Sequence, residues 1–229
     1  MLWPISMLEK PIQSKYFFKY IVLDDFFADV EIEYLNRLDI SNAPSDQASI
    51  LYHLRIFKDK NIEPKGTERP LIPMEKIISI HNKYEPLFYS LLLKLCPAKS
   101  DLVDFIDYQI ILTGKDAKYP IHDDVAFKLL STVIYLKPEN NFGTIIYPCP
   151  NYALFDGRIV SPSEGFGINW KVNRALIFSR IHQKTWHSYQ GDGKSNRLTF
   201  VINVGTDKVE EVMEIESSRE FRESITWEN

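Results

Sequence analysis

The chain has 229 residues and a mass of 26.8 kDa, room for one domain with a full core, and its 45% hydrophobic, 13% aromatic and 25% charged residues are those of an ordinary globular protein with a β-rich interior. A net charge of −4, a pI near 5.8 and no cluster of lysine and arginine leave no electrostatic footprint for nucleic acid or anionic lipid, and two distant cysteines, Cys96 and Cys149, exclude a disulfide framework or thiolate zinc site. The first fifteen residues lack the basic start and apolar run of a secretion signal, and nothing approaches roughly 18 uninterrupted apolar residues, so a cytoplasmic chain with no membrane segment is expected.

The pattern predicts one domain over 1–229: an N-terminal strand and helices over 1–100, a β core over 101–206 and a charged tail over 207–229. "KYFFKYIVLDDFFADVEIEYLNRLD" reads as a strand, then a helix from Asp29 with Val30, Tyr34, Leu35 and Leu38 on one face. Residues 40–73 are irregular and polar, with "KDKNIEPKGTERP" the expected loop and "ILYHLRIF" an edge strand or short helix. Pro73 to Cys96 reads as a helix, kinked or split at Pro86 and stopped at Pro97. Short β runs follow: "VDFIDYQIILT", "YPIHDD", "LLSTVIYL", "TIIYP", "RALIFS", "TWHSYQ" and "RLTFVINV". With no helices between them, they predict a sandwich, barrel or jelly roll. The segment from Cys149 to Asn169 is long for a loop and suits recognition, and the tail from Asp207 reads as a surface helix or an unstructured end.

Chemistry concentrates in "YPIHDD". Along a strand, residues i and i+2 share a face, so His122 and Asp124 can converge while Asp123 points away. Two imidazoles and one carboxylate on one triangular face are the set that leaves positions open on non-haem iron(II). His187 is the third ligand sought, 65 residues beyond His122; His182 is the competitor, with the poorer spacing to Arg197. Arg197 follows His187 by ten residues, inside a β run. An arginine deep in an apolar barrel needs an anion, and its fork suits a carboxylate, so the expected ligand is an organic acid.

The ordered set His122-Asp123-Asp124, His187, Arg197 and Thr199 resembles the signature of the iron(II)- and 2-oxoglutarate-dependent oxygenases, over roughly residues 103–204. Within that superfamily the chain looks most like the prolyl-hydroxylase-type branch, through Tyr135-Leu136 followed by a turn at Gly143-Thr144, where relatives carry a glycine pair. The resemblance implies a double-stranded β-helix, or jelly roll, with flanking N-terminal helices. It implies that His122, Asp124 and His187 bind Fe(II). It further implies that Tyr135 helps Arg197 hold the far carboxylate of 2-oxoglutarate, with Thr199 as helper and Tyr108 as a further cosubstrate contact. Leu112 stands where several relatives place a tyrosine. The implied reaction consumes O2 and 2-oxoglutarate, releases succinate and CO2, and hydroxylates an unactivated C–H bond of a peptidyl substrate, with prolyl among the candidates, or of a small molecule.

Two other readings stay open on the residues: a cupin-like metal enzyme that uses no 2-oxoglutarate, and a non-enzymatic jelly-roll binding module. Arg197 argues against both, since neither needs an inward cation. His53 and His81 read as structural histidines, and neither substrate identity nor oligomeric state is legible.

Overall fold

The computed structural model describes residues 18–39, 46–65, 72–148 and 165–225. A seven-stranded and a four-stranded sheet, both antiparallel, make up the body. The large sheet has the order β1 (Tyr20–Leu23), β9 (Ala175–Ser179), β6 (Lys128–Lys137), β11 (Arg197–Gly205), β4 (Phe105–Thr113), β2 (Ala48–Phe57), β3 (Ile62–Pro64). The small sheet has the order β5 (Lys118–His122), β10 (His187–Gln190), β7 (Ile145–Ile146), β8 (Phe166–Gly167). This is the expected jelly roll, and each β run read from residue 101 onward forms a strand.

One face of the large sheet carries the helices. α1 (Asp29–Asn36) and α2 (Met74–Leu95) bury Leu35, Ile77, Tyr84, Phe88 and Leu91 in one cluster with Tyr108, Ile110, Phe200 and Ile202 of the strands. That cluster is the main core, and burial of each large side chain contributes about 1.5–3 kcal/mol. Phe26, Phe27 and Tyr84 pack ring on ring beneath it. The opposite face of the sheet looks into the space between the two sheets.

Four expectations are corrected. α1 buries Glu31 and Leu35, with Leu38 buried just beyond its end, while Val30 is 63% exposed and Glu31 turns inward to meet Lys83 at 2.6 Å. α2 runs unbroken through Pro86. The proline sits on the solvent face, where the carbonyl it strands can meet water, so the interruption is tolerated. The stretch read as irregular, with an edge strand or short helix at "ILYHLRIF", holds a full ten-residue strand, β2, paired along its length with β4, and the expected loop after it contributes the edge strand β3. β2 was obscured because only alternate residues are buried on this penultimate strand. The charged tail is not merely a surface: α3 (Val209–Ser217) and α4 (Arg219–Ile225) bury Val212, Glu216 and Phe221. No helix among the described residues is long and apolar enough to cross a membrane. Residues 149–164, most of the expected recognition loop and including Cys149, lie outside the described residues, as do 1–17, 40–45, 66–71 and 226–229.

Candidate functional site

β5 and β10 run side by side in the small sheet with His122 directly opposite His187. Their rings lie 4.3 Å apart, and Asp124, just past the end of β5, completes the group. One ligand atom from each of the three residues falls within 4.8 Å of the others. Among the described residues, this is the group of His, Cys, Asp and Glu placed to hold a metal ion. His182, the competitor, is elsewhere: its Nδ1 lies 3.1 Å from Arg180 Nη2 and 3.4 Å from Asp123 Oδ2.

The surroundings of the triad fix its chemistry. His122 Nδ1 faces the carbonyl of Pro120 at 2.8 Å, and His187 Nδ1 faces that of Thr185 at 2.9 Å. A carbonyl can only accept, so each Nδ1 carries the proton and each Nε2 lone pair is left for a metal. Asp124 takes Lys128 Nζ on Oδ1 and Ser131 Oγ on Oδ2, both at 2.6 Å. Burial alone would push the Asp124 carboxyl up, but Lys128, His187 and the two hydrogen bonds outweigh it and bring it down to about 2. Burial lowers the His187 imidazole, with Asp124 opposing. Two imidazoles that present Nε2 and one carboxylate form a donor set that fits a divalent first-row metal such as Fe(II).

The triad opens into a cavity of about 400 Å³ whose floor is the inner face of β11, β4 and β6. From β11 it takes Arg197, Thr199, Val201 and Asn203, every second residue. Arg197 is 7% exposed, and its Nε and Nη1 have no hydrogen-bond partner among the described residues. Burial lowers its guanidinium to about 10. The ring of Tyr189 lies against it, its centroid 3.2 Å from Cζ. The Tyr189 hydroxyl is anchored to Asn141 Oδ1 at 3.0 Å. A buried cation whose donors face a cavity calls for an anion, which is the feature a dicarboxylic acid would satisfy.

One expectation for the cosubstrate contacts changes. Tyr108 faces away from the cavity: its hydroxyl meets His81 Nδ1 at 2.8 Å in the helix-covered core, because the cavity face of β4 is Gln109, Ile111 and Thr113. Leu112 shares that outward phase, so the position relatives fill with tyrosine is not a cavity position here. Tyr135 is wholly buried behind Thr144, accepting its N–H at 2.9 Å and stacking on Trp170 at 4.6 Å. Its hydroxyl proton stays available on the Arg197 side, and Tyr189 adds a ring against the guanidinium. Thr199 lines the cavity as expected. Tyr189 and Asn203 were legible in principle, standing two residues after His187 and six after Arg197 on strands of fixed alternation.

No family model and no curated protein matches this sequence. Among solved structures, a prolyl hydroxylase from Trichoplax adhaerens, in complex with a peptide fragment of the hypoxia inducible factor oxygen degradation domain, is 13% identical, with 87% of each chain covered and a TM-score of 0.52. The fold is that of a prolyl hydroxylase. A Pseudomonas putida prolyl-4-hydroxylase follows at 12% identity, covering 82% of this chain and 92% of that one, with a TM-score of 0.49. The viral collagen prolyl hydroxylase of Paramecium Bursaria Chlorella virus-1, a 2-oxoglutarate complex, is 15% identical over 82% of this chain and 96% of that one, with a TM-score of 0.48. At such identities the likeness is one of fold, and the chemistry is argued from the residues of this chain.

Proposed function

We propose that the protein is an iron(II)- and 2-oxoglutarate-dependent oxygenase that hydroxylates an unactivated C–H bond of a peptidyl or small-molecule substrate. His122, Asp124 and His187 would hold the metal, and Arg197 the far carboxylate of the oxo acid. The observation that carries this reading is Arg197, a buried guanidinium with free donors in the same cavity as a His-Asp-His group. A metal centre alone would not need that cation. Iron with the oxo acid and O2 supplies the oxidising power, releasing succinate and CO2 as one oxygen atom enters the substrate.

The chain's own residues do the rest. The Pro120 and Thr185 carbonyls hold both imidazoles in the ligating tautomer. Lys128 and Ser131 keep Asp124 ionised and oriented. Tyr189 shields one face of the Arg197 guanidinium, Thr199 lines the way from it to the triad, and Tyr135 backs that end through Thr144. Val133, Phe178 and Val201 wall the cavity with apolar surface that keeps water from competing for the charges.

In the test, succinate released from 2-oxoglutarate is measured with Fe(II) and air, alongside the melting shift caused by Mn(II) and N-oxalylglycine, an inert oxo-acid mimic. Wild type should show both, and His122→Ala neither. No melting shift in the wild type, or succinate release at the wild-type rate in His122→Ala, would contradict the proposal.

A further inference from the structure

We propose that Asn203 forms a second recognition point in the cavity, for a neutral amide group of the substrate that offers a donor and an acceptor side by side, as a primary carboxamide or a lactam does. The proposal deepens, and rests on, the oxygenase function proposed above.

Asn203 is 1% exposed and lines the cavity, yet neither its Oδ1 nor its Nδ2 has a partner among the described residues. Its cross-strand neighbours do not supply one. Asp107, opposite it on β4, gives its two carboxylate oxygens to Arg55 at 2.8 and 2.9 Å. Ser131, opposite it on β6, gives its hydroxyl to Asp124. Both flanking groups are turned to other partners, and the open edge of the carboxamide is the cavity. An amide buried without hydrogen bonds is costly, so a group that answers both atoms is the chemistry this position calls for.

The complement is narrow. A carboxylate would set its lone pairs against Oδ1 and bring a second negative charge beside Asp124. A cation would leave Nδ2 unanswered. A neutral amide answers both atoms in one plane. The location separates this point from the oxo-acid end, because Cα atoms six residues apart on a strand are about 20 Å apart. Arg197 takes one end of β11, whereas Asn203 neighbours the residue that holds a triad carboxylate. A substrate gripped there would lie on the triad side of the cavity. Ile50 and Tyr119, each 52% exposed, also line the cavity and offer apolar surface to the rest of it.

The test titrates 2-piperidinone, a small lactam, and N-methyl-2-piperidinone, which lacks the donor, into the protein with and without Mn(II) and N-oxalylglycine, following the probes by ligand-observed NMR. The lactam should bind at least about tenfold more tightly than its N-methyl form, and Asn203→Leu should erase that preference while leaving the affinities for Mn(II) and N-oxalylglycine as they were. Equal binding of the two probes to wild type, or binding of neither, overturns the amide site whether or not the variant folds. A preference undiminished in Asn203→Leu overturns the assignment to Asn203. Failure of wild type to bind Mn(II) or N-oxalylglycine is a separate result, which removes the oxygenase reading while the probe pair on the unloaded protein still decides the amide site.

Discussion

At the seam between β9 and α3, Arg180 is enclosed by partners: its Nε donates to the Asp124 carbonyl at 3.0 Å and its Nη1 to Glu216 Oε2 at 2.8 Å. Glu216 also accepts from Lys99, and from the His182 N–H at 3.0 Å, while Lys99 reaches the Arg180 carbonyl as well. On the inner face of β11, Arg197 is about as deeply buried, 7% exposed against 3%, and has an aromatic ring and two unanswered donors. The seam closes its charges within the protein, so they act on the fold. The floor of the cavity leaves a cation to be completed from outside, so it acts on a ligand. The seam also serves the site, since Arg180 grips the backbone of a triad residue.

The largest expected effect lies at the seam. Glu216→Ala strands Lys99 and Arg180 without their anion, and unfolding in urea should show a loss of about 3–5 kcal/mol. Arg197→Met, by contrast, should leave stability nearly unchanged, because no protein group loses a hydrogen-bond partner and the Tyr189 ring keeps an apolar side chain against it. A similar large loss in both variants would break the distinction between the two arginines. The second effect is on binding: Arg197→Met should weaken 2-oxoglutarate by about 2–3 kcal/mol, on the order of 100-fold, and leave Mn(II) affinity alone, as read by calorimetry. A third, smaller effect sharpens the placement of Tyr108. Tyr108→Phe removes a buried hydrogen bond to His81 and should cost about 1 kcal/mol of stability with no change in oxo-acid affinity, and a loss of affinity would return Tyr108 to the cavity.

The smallest effect concerns an exposed pair. The Arg174 hydrogen bond, helped by Lys171, brings the Asp24 carboxyl from 3.8 to about 2. A carboxyl lowered on folding contributes stability that is full above its unfolded value and is lost as pH falls through the folded one. The deficit of Asp24→Asn should thus be greatest above about pH 4 and vanish near pH 2. Solvent screens this site, so the deficit should be well below that of Glu216→Ala, and thermal melts across that pH range would check both points.

The triad and Arg197 were legible because strand alternation and chain order constrain them jointly: His122 and Asp124 share a face, and His187 returns on a neighbouring strand. Tyr108 was misplaced because β4 is buried on both faces, so its apolar run carries no phase. Tyr135 is read as a partner of Arg197 by resemblance; its oxygen accepts the Thr144 N–H and its O–H is left to donate, while Tyr189, which the sequence reading passed over, lies on the guanidinium. Arg180 and Glu216 gave no signal in sequence, since their pairing joins residues 36 apart whose acidic and basic neighbours look alike. Asn203 was hidden in "RLTFVINV", where one amide among apolar residues reads as a strand end until its missing partners are seen.

The most direct test of the central claim is an anaerobic titration of 2-oxoglutarate into the Fe(II)-loaded protein, watched through the visible charge-transfer band of iron chelated by a 2-oxo acid. The band should grow to saturation at one oxo acid per chain, require far more oxo acid in Arg197→Met, and be absent in His187→Ala. No band in the wild type, or identical titration curves for wild type and Arg197→Met, would contradict the account.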